Sequence, residues 1–164
     1  SHFGSATSRQ IGGRPVADLA VRSRRKLTCR DVSTILLATD ADWLYDDVHA
    51  TLAGRRRAVH RVRAGKDVVA AVEADVPELV ILDLQTGNQG GMATCMDLRL
   101  EQDMGRIPEF PILMLLDRDD DVFLAKRADA DGWLIKPIEP FRLRRAVTTL
   151  LAGDTYFQQR RQVS

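Results

Sequence analysis

Short apolar runs that end at a charged side chain are the feature that most constrains the fold of this 164-residue chain. In the clearest of them, the run 79–82 is followed directly by Asp83 and then by a polar, glycine-rich segment, 85–91. Apolar runs of four or five residues between turn-forming residues are typical of strands buried on both faces of a parallel sheet. Ligands of open α/β sheets bind outside the carboxyl ends of such strands. The position of Asp83 therefore predicts a functional carboxylate at that edge.

Four further segments have the composition of strands, and helical spacing of apolar residues connects them. The strands are predicted at 35–38, 58–62, 79–82, 112–116 and 133–135, of which 58–62 is partly alternating and is typical of an edge strand. The helices are predicted at 42–52, 66–74, 92–100, 119–128 and 140–151. Strands that alternate with helices predict a parallel sheet with helices on both faces and right-handed crossovers. The predicted fold class is therefore α/β, a doubly wound sheet of five parallel strands.

Charge is distributed unevenly along the chain, although the formal net charge is only +1. Residues 1–33 carry seven basic and two acidic side chains, residues 152–164 have a net charge of +1, and the middle of the chain is left with −5. We interpret 1–33 as a basic, largely irregular arm, 34–151 as the folded domain and 152–164 as a tail. The arm is either a solvated tail or a contact surface for an acidic partner.

Composition argues against several classes of protein. No apolar run approaches the roughly 18 residues that a membrane-spanning helix needs, and no signal peptide is visible. The two cysteines, Cys29 and Cys95, have no paired spacing, which favours a reducing cytoplasm and argues against a thiolate metal site. Because no nucleophile stands with a paired base, an enzyme is not expected. Only 13 residues follow Leu151, too few for a DNA-binding output domain, so direct DNA binding is not expected.

Four segments together resemble the receiver domain of bacterial two-component response regulators. They are 35–40, 79–84, 111–116 and 132–137. They occur in the order and at the spacing of that family, and the last of them ends in its Lys-Pro pair, Lys136-Pro137. The resemblance implies a flavodoxin-like sheet with strand order 2-1-3-4-5. It also implies phosphorelay signalling, in which a histidine kinase or a phosphotransfer protein donates a phosphoryl group.

The resemblance implies a role for each residue at the strand ends. Asp83 occupies the position of the phospho-acceptor, and Lys136 occupies that of the lysine that contacts the phosphoryl group. Asp40, Asp83 and the backbone carbonyl of Gln85 would hold Mg²⁺, which prefers oxygen ligands. Trp133 occupies the position of the aromatic side chain that changes rotamer on activation.

Three positions depart from the pattern of the family. Thr39 stands where the family has the first of two acidic residues, which predicts a weak Mg²⁺ site. Leu116 stands where the family has Ser or Thr, and leucine has no hydroxyl to donate to a phosphoryl oxygen. Gly87 stands where a proline commonly follows the acceptor loop. These departures predict an atypical receiver in which the site and the surface are weakly coupled.

The same residues also allow other interpretations. Asp40 can instead cap the helix that begins near Asp42, since aspartate is a favoured cap. Trp133 can be a static packing residue. The acidic residues among 117–121 can start a helix or supply extra metal ligands. The basic residues among 55–66 are interpreted mainly as a solvated rim around the second strand, with docking to an acidic partner as the alternative.

The sequence thus predicts a single-domain, atypical response regulator of the cytoplasm that accepts a phosphoryl group on Asp83. The alternative is a pseudo-receiver, a protein-interaction module of the same fold that works without phosphorylation. A homodimer is a further prediction. In it, arginines of the last predicted helix, such as Arg142, meet Asp129 or Asp131 of a second copy.

Overall fold

Six parallel strands form one sheet in the computed structural model, which describes residues 32–87 and 89–158. In chain order they are β1 Ser33–Ala38, β2 Arg57–Val62, β3 Leu79–Asp83, β4 Ile112–Leu116, β5 Gly132–Ile135 and β6 Tyr156–Phe157. The helices are α1 Asp42–Leu52, α2 Val68–Ala74, α3 Gly91–Asp103, α4 Val122–Arg127 and α5 Pro140–Leu151. Nearly all of the predicted basic arm, residues 1–31, lies outside the described residues.

The order of the strands is β2-β1-β3-β4-β5-β6, which confirms the predicted order 2-1-3-4-5 and adds one strand at the end. The added strand, β6, pairs Tyr156 with Gly132 and Phe157 with Trp133. The sequence does not predict β6, because a strand of two residues is too short to show an apolar period. It lies within the segment that we interpreted only as a tail.

Helices cover both faces of the sheet, as predicted. Helices α1 and α5 pack on one face, and α2, α3 and α4 pack on the other. On β3, Val80 and Leu82 face the second group of helices, whereas Leu79 and Ile81 face the first, and all four side chains are completely buried. Consecutive residues of a strand point to opposite faces, so a strand covered on both sides must be apolar throughout. This requirement explains the continuous apolar run that precedes Asp83.

The starts of three helices differ from the prediction. Short 3₁₀ turns, Gly65–Asp67 and Asp119–Asp121, precede α2 and α4. Helix α3 begins at Gly91, directly behind β3, where a Cβ atom would lie only 2.7 Å from the carbonyl oxygen of Asp83. The absence of a side chain at Gly91 therefore allows this helix to start against the end of β3. None of the helices within the described residues is long and apolar enough to span a bilayer.

Candidate functional site

The carboxyl ends of four neighbouring strands bring four polar side chains together. Asp83 is the last residue of β3, and Thr39, Asp117 and Lys136 directly follow β1, β4 and β5. The ammonium nitrogen of Lys136 lies 2.7 Å from Asp83 Oδ1 and 2.9 Å from Asp117 Oδ1. The structure thus brings Asp83 and Lys136 together, as the sequence indicated, and adds two residues to them.

Every oxygen of the Asp83 carboxylate accepts a hydrogen bond. Oδ1 accepts from Lys136 Nζ and, at 3.2 Å, from the backbone N–H of Gln85. Oδ2 accepts from the hydroxyl of Thr39 at 2.8 Å. Asp83 is only 2% exposed and Thr39 is completely buried. Because a buried charge is stable only when it is paired and hydrogen-bonded, these donors are what allows a carboxylate at this position.

Thr39 therefore does more than mark the absence of an acidic residue. Its hydroxyl donates to Asp83 and accepts a hydrogen bond from the backbone N–H of Ala41 at 3.1 Å. A carboxylate at position 39 could only accept hydrogen bonds when ionised. The sequence showed that Thr39 departs from the family, but the direct bond to Asp83 depends on how β1 and β3 lie side by side. That contact could not be read from the sequence.

Lys136 is shared between two carboxylates. Burial alone would lower the pKa of Lys136, but the hydrogen bonds to Asp83 and Asp117, together with the negative charges of these carboxylates, outweigh this effect and raise the pKa above its ordinary value. The second oxygen of Asp117, Oδ2, is buried and has no hydrogen-bond partner within the described part of the chain. Sequence analysis grouped Asp117 with the acidic residues at a helix start. The structure makes it the second anchor of the lysine instead.

Asp40 is tied to the loop that follows β3. Its Oδ2 accepts a hydrogen bond from the backbone N–H of Gly87 at 3.0 Å. Ala41, and not Asp40, is the N-cap of α1, so the interpretation of Asp40 as a helix cap is wrong. A proline at position 87 would have no N–H to donate, and a Cβ atom there would lie 2.7 Å from Asp40 Oδ2. The glycine at this position is thus part of the contact.

The oxygen atoms that the resemblance assigns to Mg²⁺ are of the type this ion binds, but most of them are engaged in hydrogen bonds. Asp40, Asp83 and the carbonyl of Gln85 are oxygen ligands, and Mg²⁺ commonly binds to one or two carboxylates while it keeps several waters. However, both oxygens of Asp83 and Oδ2 of Asp40 already accept hydrogen bonds from the protein. Within residues 32–87 and 89–158, no three His, Cys, Asp or Glu side chains are grouped to hold a metal. A metal ion must therefore compete with hydrogen-bond donors of the protein for these oxygens.

Leu116 and Trp133, at the two positions where the resemblance implies switch residues, lie in the apolar core beneath α2, α3 and α4. Leu116 is completely buried and supplies no hydroxyl at the end of β4. Trp133 is 6% exposed, so the larger ring is accommodated inside. Its indole stacks on Phe157 with 4.3 Å between the ring centroids, and its Nε1 donates to the carbonyl oxygen of Gln158 at 3.1 Å. The peptide bond between Lys136 and Pro137 is cis.

Arg61 of β2 holds the turn that carries Thr39. Its Nε donates to the carbonyl oxygen of Thr39 at 3.1 Å, and its Nη1 donates to Asp42 Oδ1 at 2.7 Å. Its guanidinium lies over the ring of Tyr45, 5.2 Å from the centroid. Only 12% of the side chain is exposed, so the interpretation of Arg61 as part of a solvated rim is wrong. The hydrogen bond from Arg61 and the charges of Arg61 and Arg63 lower the pKa of Asp42.

Comparison with known proteins finds a matching family model and related proteins. The family model of the response regulator receiver domain matches residues 35–148. The nitrate/nitrite response regulator protein NarL of Escherichia coli K12 is 30% identical over 127 residues, which are 76% of this chain and 57% of NarL. The chain therefore spans little more than half the length of that relative.

Two solved structures have the same fold. The signal receiver domain of a signal transduction histidine kinase from Syntrophus aciditrophicus has a TM-score of 0.65 at 25% identity, and the match covers 74% of this chain and 92% of that one. The chemotaxis protein CheY4 of Vibrio cholerae has a TM-score of 0.64 at 21% identity, with 73% and 98% covered. At this level of identity, the second comparison supports the fold alone.

Proposed function

The chain belongs to the response regulator receiver family of two-component signalling, and on that premise we propose that it is an atypical receiver that accepts a phosphoryl group on Asp83. The observation that carries the proposal is the 2.7 Å contact between Lys136 Nζ and Asp83 Oδ1. A carboxylate can act as a nucleophile toward phosphorus, and a fixed cation beside it offsets the charge of the arriving group. On this proposal, Asp83 accepts the phosphoryl group, and the chain is not an enzyme that acts on a small-molecule substrate.

In the proposed reaction, an oxygen of Asp83 attacks the phosphorus of a phosphohistidine on a histidine kinase or phosphotransfer protein. The bond between phosphorus and oxygen forms while the bond between phosphorus and nitrogen breaks, and the imidazole leaves with that electron pair. Lys136 stays protonated and attracts the phosphoryl oxygens. When bound by Asp40, Asp83 and the carbonyl of Gln85, Mg²⁺ supplies further neutralisation of charge at those oxygens.

Access to Asp83 depends on Thr39. Asp83 is almost completely buried, and one of its oxygens is covered by the Thr39 hydroxyl. This hydroxyl can turn away by rotation about a single side-chain bond, whereas the N–H of Gln85 belongs to the backbone. A hydrogen bond to a charged group contributes about 1.5–3 kcal/mol, so we expect acceptance of a phosphoryl group to begin with a cost of this order.

We propose that phosphorylation is coupled only weakly to the surface. Leu116 offers no hydroxyl, and the buried hydroxyl of Thr86 already lies 2.7 Å from the carbonyl oxygen of Asp83 and 3.1 Å from that of Ala38. Asp117 competes with a phosphoryl group for Lys136. A ligand shifts an equilibrium only as far as it interacts differently with the two states. Few donors here can respond to the new group.

The test of the acceptor is intact-mass spectrometry after incubation with acetyl phosphate and Mg²⁺. We expect a mass increase of about 80 Da, the mass of one phosphoryl group, in the unmodified chain and no increase in Asp83→Asn. Asp117→Asn is the matched control, because it removes the other carboxylate that contacts Lys136 and keeps the acceptor. An equal increase in Asp83→Asn would show that another residue is phosphorylated.

One observation favours a second function, that of a pseudo-receiver. The hydrogen bond from Thr39 to Asp83 lets the site persist with neither a metal ion nor a phosphoryl group. On this alternative, the chain binds a partner protein in one fixed state. Isothermal titration with Mg²⁺ separates the two functions: binding supports the acceptor. Absence of Mg²⁺ binding, together with an unchanged mass after acetyl phosphate, supports the pseudo-receiver.

Family membership also underlies the proposed partner and location. A histidine kinase or phosphotransfer protein is the proposed phosphoryl donor, and the cytoplasm is the proposed location. For the predicted homodimer, the carboxylate of Asp131 is already engaged within the chain, because it accepts from Arg99 at 2.6 Å and from the N–H of Ile112 at 2.9 Å. Asp129 is therefore the better candidate for contact with the arginines of α5, and the homodimer stays a prediction.

A further inference from the structure

Strand β6 pairs in parallel with the edge of β5, as an added peptide strand does. The N–H of Tyr156 donates to the carbonyl oxygen of Asp131, and the N–H of Gln158 donates to that of Trp133, both at 3.2 Å. The side-chain oxygen of Gln158 accepts from the N–H of Ile135 at 3.0 Å. An edge strand otherwise presents such groups as a template for another chain. Here one short segment engages the carbonyl oxygens of Asp131 and Trp133 and the N–H of Ile135 along this edge.

The same segment covers Trp133. The ring of Phe157 stacks on the indole at a distance of 4.3 Å and an angle of 27°. The indole N–H donates to the carbonyl oxygen of Gln158. Trp133 is 6% exposed, whereas Phe157 is 47% exposed. Phe157 therefore lies between the indole and the solvent, and we expect removal of its side chain to expose the indole.

Gly132 makes the approach of β6 possible. A Cβ atom at this position would lie 2.5 Å from the carbonyl oxygen of Tyr156, a distance that backbone atoms do not tolerate. The next nearest atom, Leu113 Cδ1, would be 3.4 Å away, which is close to ordinary contact. A methyl group at Gly132 would therefore clash with the backbone of β6 and would only touch the neighbouring strand β4.

We propose that the edge of β5 is a docking site for an extended peptide strand, that the chain's own Tyr156–Gln158 segment is its occupant, and that docking of this segment controls the exposure of Trp133. Strand addition of this kind takes its affinity from backbone hydrogen bonds and its specificity from alternate side chains. The segment is held by a two-residue ladder and follows an exposed connection, 152–155. Segments with so few buried contacts open locally at free energies well below that of global unfolding.

The segment also lies beside the candidate functional site. Gln158 lines a cavity of about 230 Å³ together with Asp117 and Lys136. The segment that covers Trp133 thus borders the lysine that contacts Asp83. Within the described residues, the hydrogen bonds of the segment to β5 and its ring contact involve Asp131, Trp133 and Ile135 and not Asp83, so its docking can be tested separately from phosphoryl acceptance.

In the experiment, Trp133 is the single tryptophan and reports its own exposure by fluorescence. Trp43, the other of the two tryptophans, is 56% exposed and is replaced by phenylalanine in every variant. In this background, Phe157→Ala and Gly132→Ala are expected to increase the acrylamide quenching constant several-fold and to shift the emission to longer wavelength. Far-UV circular dichroism confirms that the sheet and helices are retained.

Two matched controls carry the same changes elsewhere. Phe141→Ala removes a phenylalanine that is 69% exposed on α5, and Gly54→Ala adds a methyl group where no other described atom comes within 4 Å. Both are expected to leave the quenching of Trp133 unchanged. The proposal is overturned when Phe157→Ala and Gly132→Ala shield Trp133 as well as the parent does, or when the controls expose it equally. Neither result bears on the phosphorylation of Asp83, which the mass assay tests separately.

Discussion

Replacement of Thr39 by aspartate restores the acidic residue that the family has, and it is expected to make the stability of this chain depend on Mg²⁺. The Thr39 hydroxyl is completely buried and lies 2.8 Å from Asp83 Oδ2. The variant loses a hydrogen bond to a charged group, which contributes about 1.5–3 kcal/mol. It also places a second carboxylate beside Asp83, and two like charges about 4 Å apart repel by about 4 kcal/mol at an effective dielectric constant near 20.

These two effects set the expected loss in metal-free buffer. Protonation of one carboxyl relieves part of the repulsion, so the free energy of unfolding is expected to fall by roughly 3–6 kcal/mol. Against a total of about 5–15 kcal/mol for a typical domain, this is a large fraction. A cation between the carboxylates reverses the repulsion. At a concentration about 100 times its dissociation constant, Mg²⁺ returns about 2.7 kcal/mol to the variant.

The assay is urea unfolding followed by circular dichroism, with EDTA or with MgCl₂, at constant ionic strength and neutral pH. Thr39→Val is the matched control, because it removes the hydroxyl without adding charge. It is expected to lose about 1–3 kcal/mol and to regain none of it with Mg²⁺. The reasoning is refuted when Thr39→Asp is as stable as the parent without metal, or when the parent gains as much from Mg²⁺ as the variant does.

Three other predictions concern the same site. Lys136→Met tests the raised pKa of Lys136. The stabilisation by the ammonium is fully present below the ordinary pKa of 10.5 and is lost as the pH rises through the higher pKa of the folded state. In urea unfolding, the parent should therefore have a higher free energy of unfolding than the variant up to pH 10.5, and the difference should shrink above that pH. Asp117→Asn removes a charge that competes with the phosphoryl group for Lys136. If this lowers the activation free energy by about 1 kcal/mol, acetyl phosphate should modify Asp83 about fivefold faster in an intact-mass time course. A slower reaction would contradict the competition. Gly87→Pro removes the N–H that Asp40 accepts, and the free energy of unfolding should fall by at least about 1 kcal/mol; an unchanged value would show that this hydrogen bond contributes nothing.

The sequence predicted those parts of the molecule that depend on continuous apolar runs. β3 was predicted because both faces of this strand are covered, which leaves no polar residue in 79–82. Asp83 and Lys136 were predicted to lie together because each directly follows such a run, and parallel strands end at the same edge.

The contacts that the sequence did not predict depend on packing between elements. A cluster of basic residues predicts a solvated rim, but the Arg61 side chain is largely buried because an arginine can bury its stem and still reach a polar group with its guanidinium. Asp117 stands among other aspartates, and only the approach of Lys136 from β5 distinguishes it. Strand β6 contributes two residues, so the edge of β5 and not its own sequence makes it a strand.

The short outer strand has a consequence for behaviour at high concentration. With β6 in place, this margin of the sheet ends in a two-residue strand beside a half-exposed aromatic ring, and not in the full length of β5. An edge strand this short offers a second molecule few backbone groups for hydrogen bonding, which is one way natural sheets avoid edge-to-edge association. We therefore expect the short segment after α5 to reduce edge-to-edge association of the folded chain.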